Sequence, residues 1–180
     1  SYDKRGHQTG TVISGGAGNA QIQNSSYNAF GEIASSGIGT QMQYSYSYNQ
    51  AGQMVRKTES NGDTRSFGYD MLGHVTNDTL EGGSGTGDDR ATLNTYDKLG
   101  RLIKQKLPKL NDIQSAPVSS QTLDRWGNVL TSTNAMLATT TQRYNILNKV
   151  TWEQLPAVNI MAADGSVTYG GIEQSYAYDA

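Results

Sequence analysis

Tyr96-Asp97-Lys98-Leu99-Gly100-Arg101-Leu102 is the stretch whose reading decides the fold. An Asp side chain can hydrogen-bond backbone amides two residues on and hold a bend. A Gly shortly afterwards supplies a backbone conformation closed to most residues. A polar residue and an apolar one then restart a strand. The signature recurs at Tyr2-Asp3-Lys4-Arg5-Gly6, Tyr27-Asn28-Ala29-Phe30-Gly31, Tyr48-Asn49-Gln50-Ala51-Gly52 and Tyr69-Asp70-Met71-Leu72-Gly73. Leu123-Asp124-Arg125-Trp126-Gly127 keeps all but the Tyr. Tyr144-Asn145-Ile146-Leu147-Asn148 puts Asn, the residue that best tolerates positive φ after Gly, in the Gly slot. An eighth copy begins at Tyr178-Asp179-Ala180.

Successive signatures start 25, 21, 21, 27, 27, 21 and 34 residues apart. The base unit is therefore 21 residues, and longer intervals carry insertions where turn-forming residues cluster. Such an array builds surfaces or containers, with loops varying on a fixed scaffold. Residues 1–180 are expected to be one array of about seven repeats and, because both ends fall within the pattern, a segment of a longer polypeptide.

Between signatures the chain reads as hairpins. Gln53-Met54-Val55-Arg56-Lys57-Thr58-Glu59 and Asp63-Thr64-Arg65-Ser66-Phe67-Gly68-Tyr69 flank Asn61-Gly62. Asn-Gly between strand-like runs predicts a two-residue type I′ turn. Tyr44, Tyr46 and Tyr48 alternate with Ser45 and Ser47, the period of a strand. Thr131-Ser132-Thr133 and Thr139-Thr140-Thr141 predict a hairpin with a longer turn over Asn134–Ala138, and Asp164-Gly165 marks another turn. The signature Tyr is expected to stack on its equivalent in the next unit, with its hydroxyl reaching a polar edge. The fold class is all-β.

Composition agrees. Apolar residues including Tyr make up 35% of the chain and charged residues 17%, too little of either for a thick core with a charged surface. Eleven Tyr supply much of the area a thin sheet can bury. A net charge of −2 without a basic run argues against a nucleic-acid partner. There is no Cys, hence no disulfide framework or thiolate metal site, and no apolar run reaches the ~20 residues of a membrane-spanning helix.

These motifs resemble the Rhs/YD-repeat family, and the likeness covers nearly the whole chain. Tyr69–Val75 and Tyr96–Leu102 carry it best; the second fits the family's Tyr-Asp-x-x-Gly-Arg-Leu core at every position. The family includes bacterial Rhs polymorphic toxins, the B and C components of Tc insecticidal toxin complexes and, more distantly, animal teneurins. The resemblance implies hairpins joined into a β-sheet that spirals into a hollow shell, which in bacterial members encloses a toxic C-terminal polypeptide. Many members end the repeats with an aspartyl autoprotease. No Asp-Pro-Leu-Gly-type boundary is present here, since none of Pro108, Pro117 and Pro156 follows an Asp, so that activity is carried onto no residue.

The expected role is thus structural, a wall segment protecting an effector until delivery, with no enzymatic activity. Its partners would be the remainder of the shell and the enclosed toxin, with delivery machinery or cell-surface glycans as further candidates. It would be secreted or extracellular, from a bacterium. The cavity face is expected to be largely polar. The alternative is an extracellular carbohydrate- or receptor-binding module.

No catalytic, cofactor-binding or metal residue is assigned. His7 and His74 follow the signature Gly in a slot that other copies fill with polar residues, and read as surface groups without a base partner. Asp88-Asp89, after the Gly-rich run Glu81–Gly87, lacks EF-hand spacing. That run and Gly15-Gly16-Ala17-Gly18-Asn19 lack the Lys-Ser/Thr of a phosphate loop. No Ser sits in a Gly-x-Ser-x-Gly elbow. Leu107–Pro117 reads as a surface excursion, and Trp126 and Trp152 as sheet residues rather than sugar platforms.

Overall fold

The structure, a computed structural model, describes residues 1–14, 20–82, 89–109, 115–161 and 163–179. The expectations for Gly15–Asn19, for Gly83–Asp88 and for residues 110–114 of the Leu107–Pro117 excursion lie outside the described residues. The chain forms two compact units, Ser1–Ala91 and Thr92–Ala180. All regular structure among the described residues is β.

The first unit holds β1 (Gly10–Ser14), β2 (Ala20–Tyr27), β3 (Ile33–Ile38), β4 (Gln41–Tyr48), β5 (Met54–Glu59), β6 (Thr64–Tyr69) and β7 (Val75–Glu81). They pair in sequence order, each antiparallel to the next. β8 (Arg90–Tyr96) leads into the second unit, which continues with β9 (Leu102–Lys106), β10 (Val118–Leu123), β11 (Val129–Thr133), β12 (Thr139–Tyr144) and β13 (Val150–Gln154). These again pair in order, and β16 (Glu173–Ser175) completes the sheet beside β13. β14 (Val158–Met161) and β15 (Val167–Gly170) form a separate hairpin that interrupts the array, turning at Asp164-Gly165. The long excursion is closed at its base by Leu107 N–H donating to the Pro117 carbonyl at 2.9 Å.

A meander places its turns alternately at opposite strand ends. The signatures therefore all fall on one edge of each unit's sheet, joining β2 to β3, β4 to β5 and β6 to β7 in the first, and β8 to β9, β10 to β11 and β12 to β13 in the second. The other edge takes the connections of variable length, so an insertion there leaves the signature edge undisturbed.

Among the described residues no apolar side chain is buried; Thr64 and Thr79 are the buried polar ones. With no core to speak of, each sheet is held by its ladders and by cross-strand side-chain bonds. Hydroxyl pairs link Ser26 to Ser35 at 2.6 Å, Thr122 to Thr131 at 2.6 Å and Thr133 to Thr139 at 2.8 Å. Side-chain amides do the same from Gln105 to Asn94 at 3.1 Å and from Gln142 to Glu153 at 2.7 Å. The Tyr/Ser alternation of β4 is present in the register, with Tyr46 opposite Lys57 and Ser45 opposite Thr58.

The Asn61-Gly62 turn differs from expectation. A type I′ turn needs positive φ at both central residues, but only Gly62 has it, at 95°. Gly62 N–H donates to the Glu59 carbonyl and Glu59 N–H to the Asp63 carbonyl. This is a three-residue loop, a type I turn followed by a left-handed residue. The signature turns share this bonding pattern, so one loop type serves both edges here.

Candidate functional site

The signature edge is where sequence, geometry and electrostatics converge. In each of the seven bends, the Asp or Asn donates its own N–H to the carbonyl four residues on and accepts from the N–H of the Gly (or Asn148) at its carbonyl. Its Oδ1 accepts two further backbone amides. For Asp97 these come from Leu99 at 2.9 Å and Arg101 at 3.0 Å. For Asn49 they come from Ala51 at 2.9 Å and Gln53 at 3.0 Å. The residue in the Gly slot is left-handed in all seven, from 59° at Asn148 to 97° at Gly127.

In six of the seven bends the second side-chain atom of the Asx pairs with the residue after the Gly, and there the pairing is matched by chemistry. Carboxylates meet donors. Asp3 Oδ2 lies 2.8 Å from His7 Nδ1 and Asp70 Oδ2 2.9 Å from His74 Nδ1. Asp97 Oδ2 accepts from Arg101 Nε at 2.7 Å and Asp124 Oδ2 from Asn128 Nδ2 at 2.8 Å. Carboxamides meet acceptors: Asn28 Nδ2 donates to Glu32 at 2.5 Å and Asn49 Nδ2 to Gln53 at 2.8 Å. His7 and His74, both partly exposed, therefore each have a carboxylate partner, which the reading above did not give them. The slot looked merely polar because its content changes with the Asx it serves.

These contacts set the charge state of the bends. The His7 hydrogen bond holds the Asp3 carboxyl below its ordinary range, and the His74 bond does the same for Asp70. Asp97 is lowered first by the Arg101 backbone amide and then by its guanidinium. At Asp124 loss of water pushes upward, but the bonds from Asn128 and neighbouring amides outweigh it and the net shift is downward. The post-Gly side chain also reaches the next bend. A Cβ on Gly31 would lie 3.0 Å from His7 Nε2, and one on Gly73 3.0 Å from Gln53 Nε2. Arg101 donates to the Asp124 carbonyl at 2.8 Å. Neighbouring bends are thereby stitched together.

The signature Tyr stitches too, but not by the expected ring stacking. Its hydroxyl donates to a backbone carbonyl of the preceding repeat, two residues past the Gly slot: Tyr27 to Gln8, Tyr48 to Ile33, Tyr69 to Met54, Tyr144 to Val129 and Tyr178 to Val150, at 2.7–3.1 Å. The reason lies in the ladders. The β3–β4 ladder ends at Ser35 and Ser45, leaving the Ile33 carbonyl beyond it, and the phenol fills that gap. Loss of water raises the pKa of Tyr48 and Tyr144 and keeps those phenols protonated as donors. The ring of Tyr27 stacks instead on His7, with centroids 4.8 Å apart.

Where Leu123 replaces Tyr, Gln121 makes the equivalent bond, its Nε2 donating to the Leu102 carbonyl at 2.7 Å. Sequence reasoning also missed an extra copy of the bend. Asn134 Oδ1 accepts from Met136 and Ala138 at 2.9 and 3.0 Å, on the variable edge, with Leu137 in the left-handed slot at φ 64°. It has neither the Tyr nor the Gly that marks the others.

Trp126 is not a sheet residue: it sits at a bend tip, exposed, with Arg125 stacked 3.9 Å over its ring. Trp152 lies in β13, half-buried beneath Arg143. Asp89 accepts from Gly82 N–H at 3.0 Å. Among the described residues no group of three or more His, Cys, Asp or Glu is placed to hold a metal ion, and no helix is long and apolar enough to cross a membrane.

No protein-family profile matches the chain, and no curated protein matches it either. Solved structures do. A Photorhabdus luminescens Tc holotoxin pore superimposes over 86% of this chain with a TM-score of 0.66 at 16% identity. The chain has the fold of a Tc toxin segment. It spans 9% of the length of that Tc chain. Crystal structures of TcdB2-TccC3 and of TcdB2-TccC3-Cdc42 match over 95% of this chain and 12% of theirs, at 15% and 16% identity and a TM-score of 0.43.

Proposed function

We propose that this chain is a wall segment of an Rhs-type β-shell that encapsulates a toxic C-terminal effector and protects it until delivery. The carrying observation is the Tc-type fold over 86% of the chain, built from a repeat whose stabilising contacts sit in its own bends. A wall needs that property, since it must span distance without a core. The mechanism is confinement, not catalysis: the sheet hides its cargo from proteases and from the producing cell. The partners are the remainder of the shell and the enclosed polypeptide, and the site of action is outside the producing bacterium.

The test is cryo-electron microscopy of the full-length parent particle with trypsin digestion in parallel. A closed hollow particle with protease-resistant density inside supports the reading. An open sheet, or a fully digestible C-terminus, shifts support to a carbohydrate- or receptor-binding module, a reading that exposed Trp126 favours and that glycan-array binding checks.

A further inference from the structure

Every cation on β5 and β6 has an acid beside it. Arg56 Nη2 lies 2.6 Å from Glu81, Lys57 Nζ 3.4 Å from Glu59, and Arg65 reaches Asp78 through two nitrogens. The second unit is built differently. Lys104 and Lys106 on β9 and Arg143 on β12 are exposed, and none has a salt bridge among the described residues. They also share a face, because residues opposite one another in a ladder point the same way. Lys104 stands opposite Ser120, Ser120 opposite Thr133 and Thr133 opposite Thr139. Thr122 likewise stands opposite Thr131, and Thr131 opposite Thr141. Lys106 and Arg143 follow in phase on their own strands. The acid of β13, Glu153, lies on the other face, where Gln142 donates to it at 2.7 Å. Glu173 stands at the far margin of the cationic face, two strands past β12, and accepts from Gln154.

The groups between the cations are donors with protons to spare. The hydroxyls of Thr122 and Thr131 lie 2.6 Å apart and those of Thr133 and Thr139 2.8 Å apart. In each pair one O–H donates to its neighbour and the second is left to point at a ligand oxygen. Arg143 stacks its guanidinium 4.5 Å over the Trp152 ring, which occupies the flat side of the group and leaves its edge N–H fork for a carboxylate. We propose that this face of the second unit binds an acidic polysaccharide, a polyuronate whose carboxylates accept from Lys104, Lys106 and Arg143 and whose hydroxyl and ring oxygens accept from the threonines. The spread of the cations selects a polymer over a small anion, since Lys104 and Arg143 lie three strands apart, at least about 14 Å. The hydroxyl surface selects a sugar over a peptide. The ladders already use the backbone of β10, β11 and β12, and the central residues of this face offer a peptide no apolar pocket. Such binding rests on one face of one unit, whether or not the sheet closes into a wall.

The experiment is isothermal titration calorimetry of the 180-residue chain with alginate oligomers, beside neutral dextran oligomers and poly-glutamate of matched length. Far-UV circular dichroism checks that each variant keeps the wild-type sheet. Alginate is expected to bind, more weakly as salt rises, and dextran is not. Lys104→Gln/Lys106→Gln should reduce the affinity about tenfold or more, and Arg143→Gln or Thr131→Val/Thr141→Val about threefold or more. Arg56→Gln removes the same charge from an ion-paired site in the first unit and should leave the affinity within about twofold. No binding of alginate, equal binding of dextran or poly-glutamate, or a loss as large in Arg56→Gln overturns the proposal. So does co-sedimentation with phosphatidylserine-containing vesicles in the absence of alginate binding, which assigns the face to a lipid surface. In the full-length particle, a closed shell that does not retain alginate overturns the assignment and leaves the wall reading intact. An open sheet that retains it supports the assignment and overturns the wall.

Discussion

Gln121 donates its side-chain amide to the Leu102 carbonyl at 2.7 Å, the bond made elsewhere by a signature tyrosine hydroxyl. Leu123, where that tyrosine would stand, has no donor. The repeat tolerates loss of its most recognisable residue because a second side chain on the same strand supplies the hydrogen bond. Gln121→Ala is expected to lower stability by about 0.5–1.5 kcal/mol. Leu123→Tyr in the same background should recover most of it. Urea midpoints of the single and double variants check this; no recovery in the double variant would show that the carbonyl needs no partner.

The left-handed slot separates two non-glycine residues. Leu137 pays the steric cost of φ 64° with its side chain in solvent. Leu137→Gly should therefore stabilise by about 0.5–1 kcal/mol. Asn148, at φ 59°, tolerates the region better, and its Oδ1 accepts from Asn128 Nδ2 at 2.8 Å. Asn148→Gly relieves little strain and loses that bond, so its stability in urea unfolding should stay within about 0.5 kcal/mol of wild type.

At Gly73 the conformation is closed to most residues and the space is tight. Its φ is 90°, and an added Cβ would lie 3.0 Å from Gln53 Nε2. Gly73→Ala should cost about 1–2 kcal/mol. Gly73→Ala combined with Gln53→Ala should recover only the steric part. Thermal unfolding of the two variants separates backbone strain from crowding.

The matched pairs in the bends can be exchanged. Asn28→Asp sets a carboxylate against Glu32 and should destabilise, whereas N28D/E32R recreates the pairing seen at Asp97 and Arg101. The double variant should recover the loss, with a coupling of about 0.5–1 kcal/mol for a partly exposed pair. A double-mutant cycle by urea unfolding reads it directly, and a coupling of zero would reduce the matching to coincidence.

Acid should loosen the bends. Asp3, Asp70, Asp97 and Asp124 have folded pKa values below the unfolded value of about 3.9, so the unfolded chain binds protons first as pH falls. Their contribution is fully present above about pH 5 and is lost as pH drops through the folded values. Asp70→Asn keeps an Oδ1 acceptor but no titrating carboxylate, and should make the acid limb shallower. Urea midpoints measured between pH 7 and pH 2.5 check the slope; an unchanged limb would remove Asp70 from the account.

Much of the fold was legible because the bend is local. Asp97, Leu99 and Arg101 lie within five residues, and their bonds follow from the side chain of one and the amides of the others. The same locality explains a partial failure at Asn61-Gly62. The dipeptide signals a turn, but which turn forms depends on whether Glu59 and Asp63 close a three-residue loop, and a two-residue motif does not specify that. The Asn134 bend escaped notice because Leu137 occupies a slot that sequence reasoning reserves for Gly or Asn.

By itself the sequence determined the period, the strands, the bends and the single layer, since each rests on contacts between residues near in the chain. Only the tertiary structure decided what joins one repeat to the next. The Tyr69 hydroxyl finds the Met54 carbonyl, fifteen residues back, because the ladder between their strands stops short and leaves it without a partner. His7 gains a stack in Tyr27 and a neighbour in Gly31 because adjacent bends lie on one edge. These contacts depend on register and on where each ladder ends, which are properties of the assembled sheet and not of any one repeat.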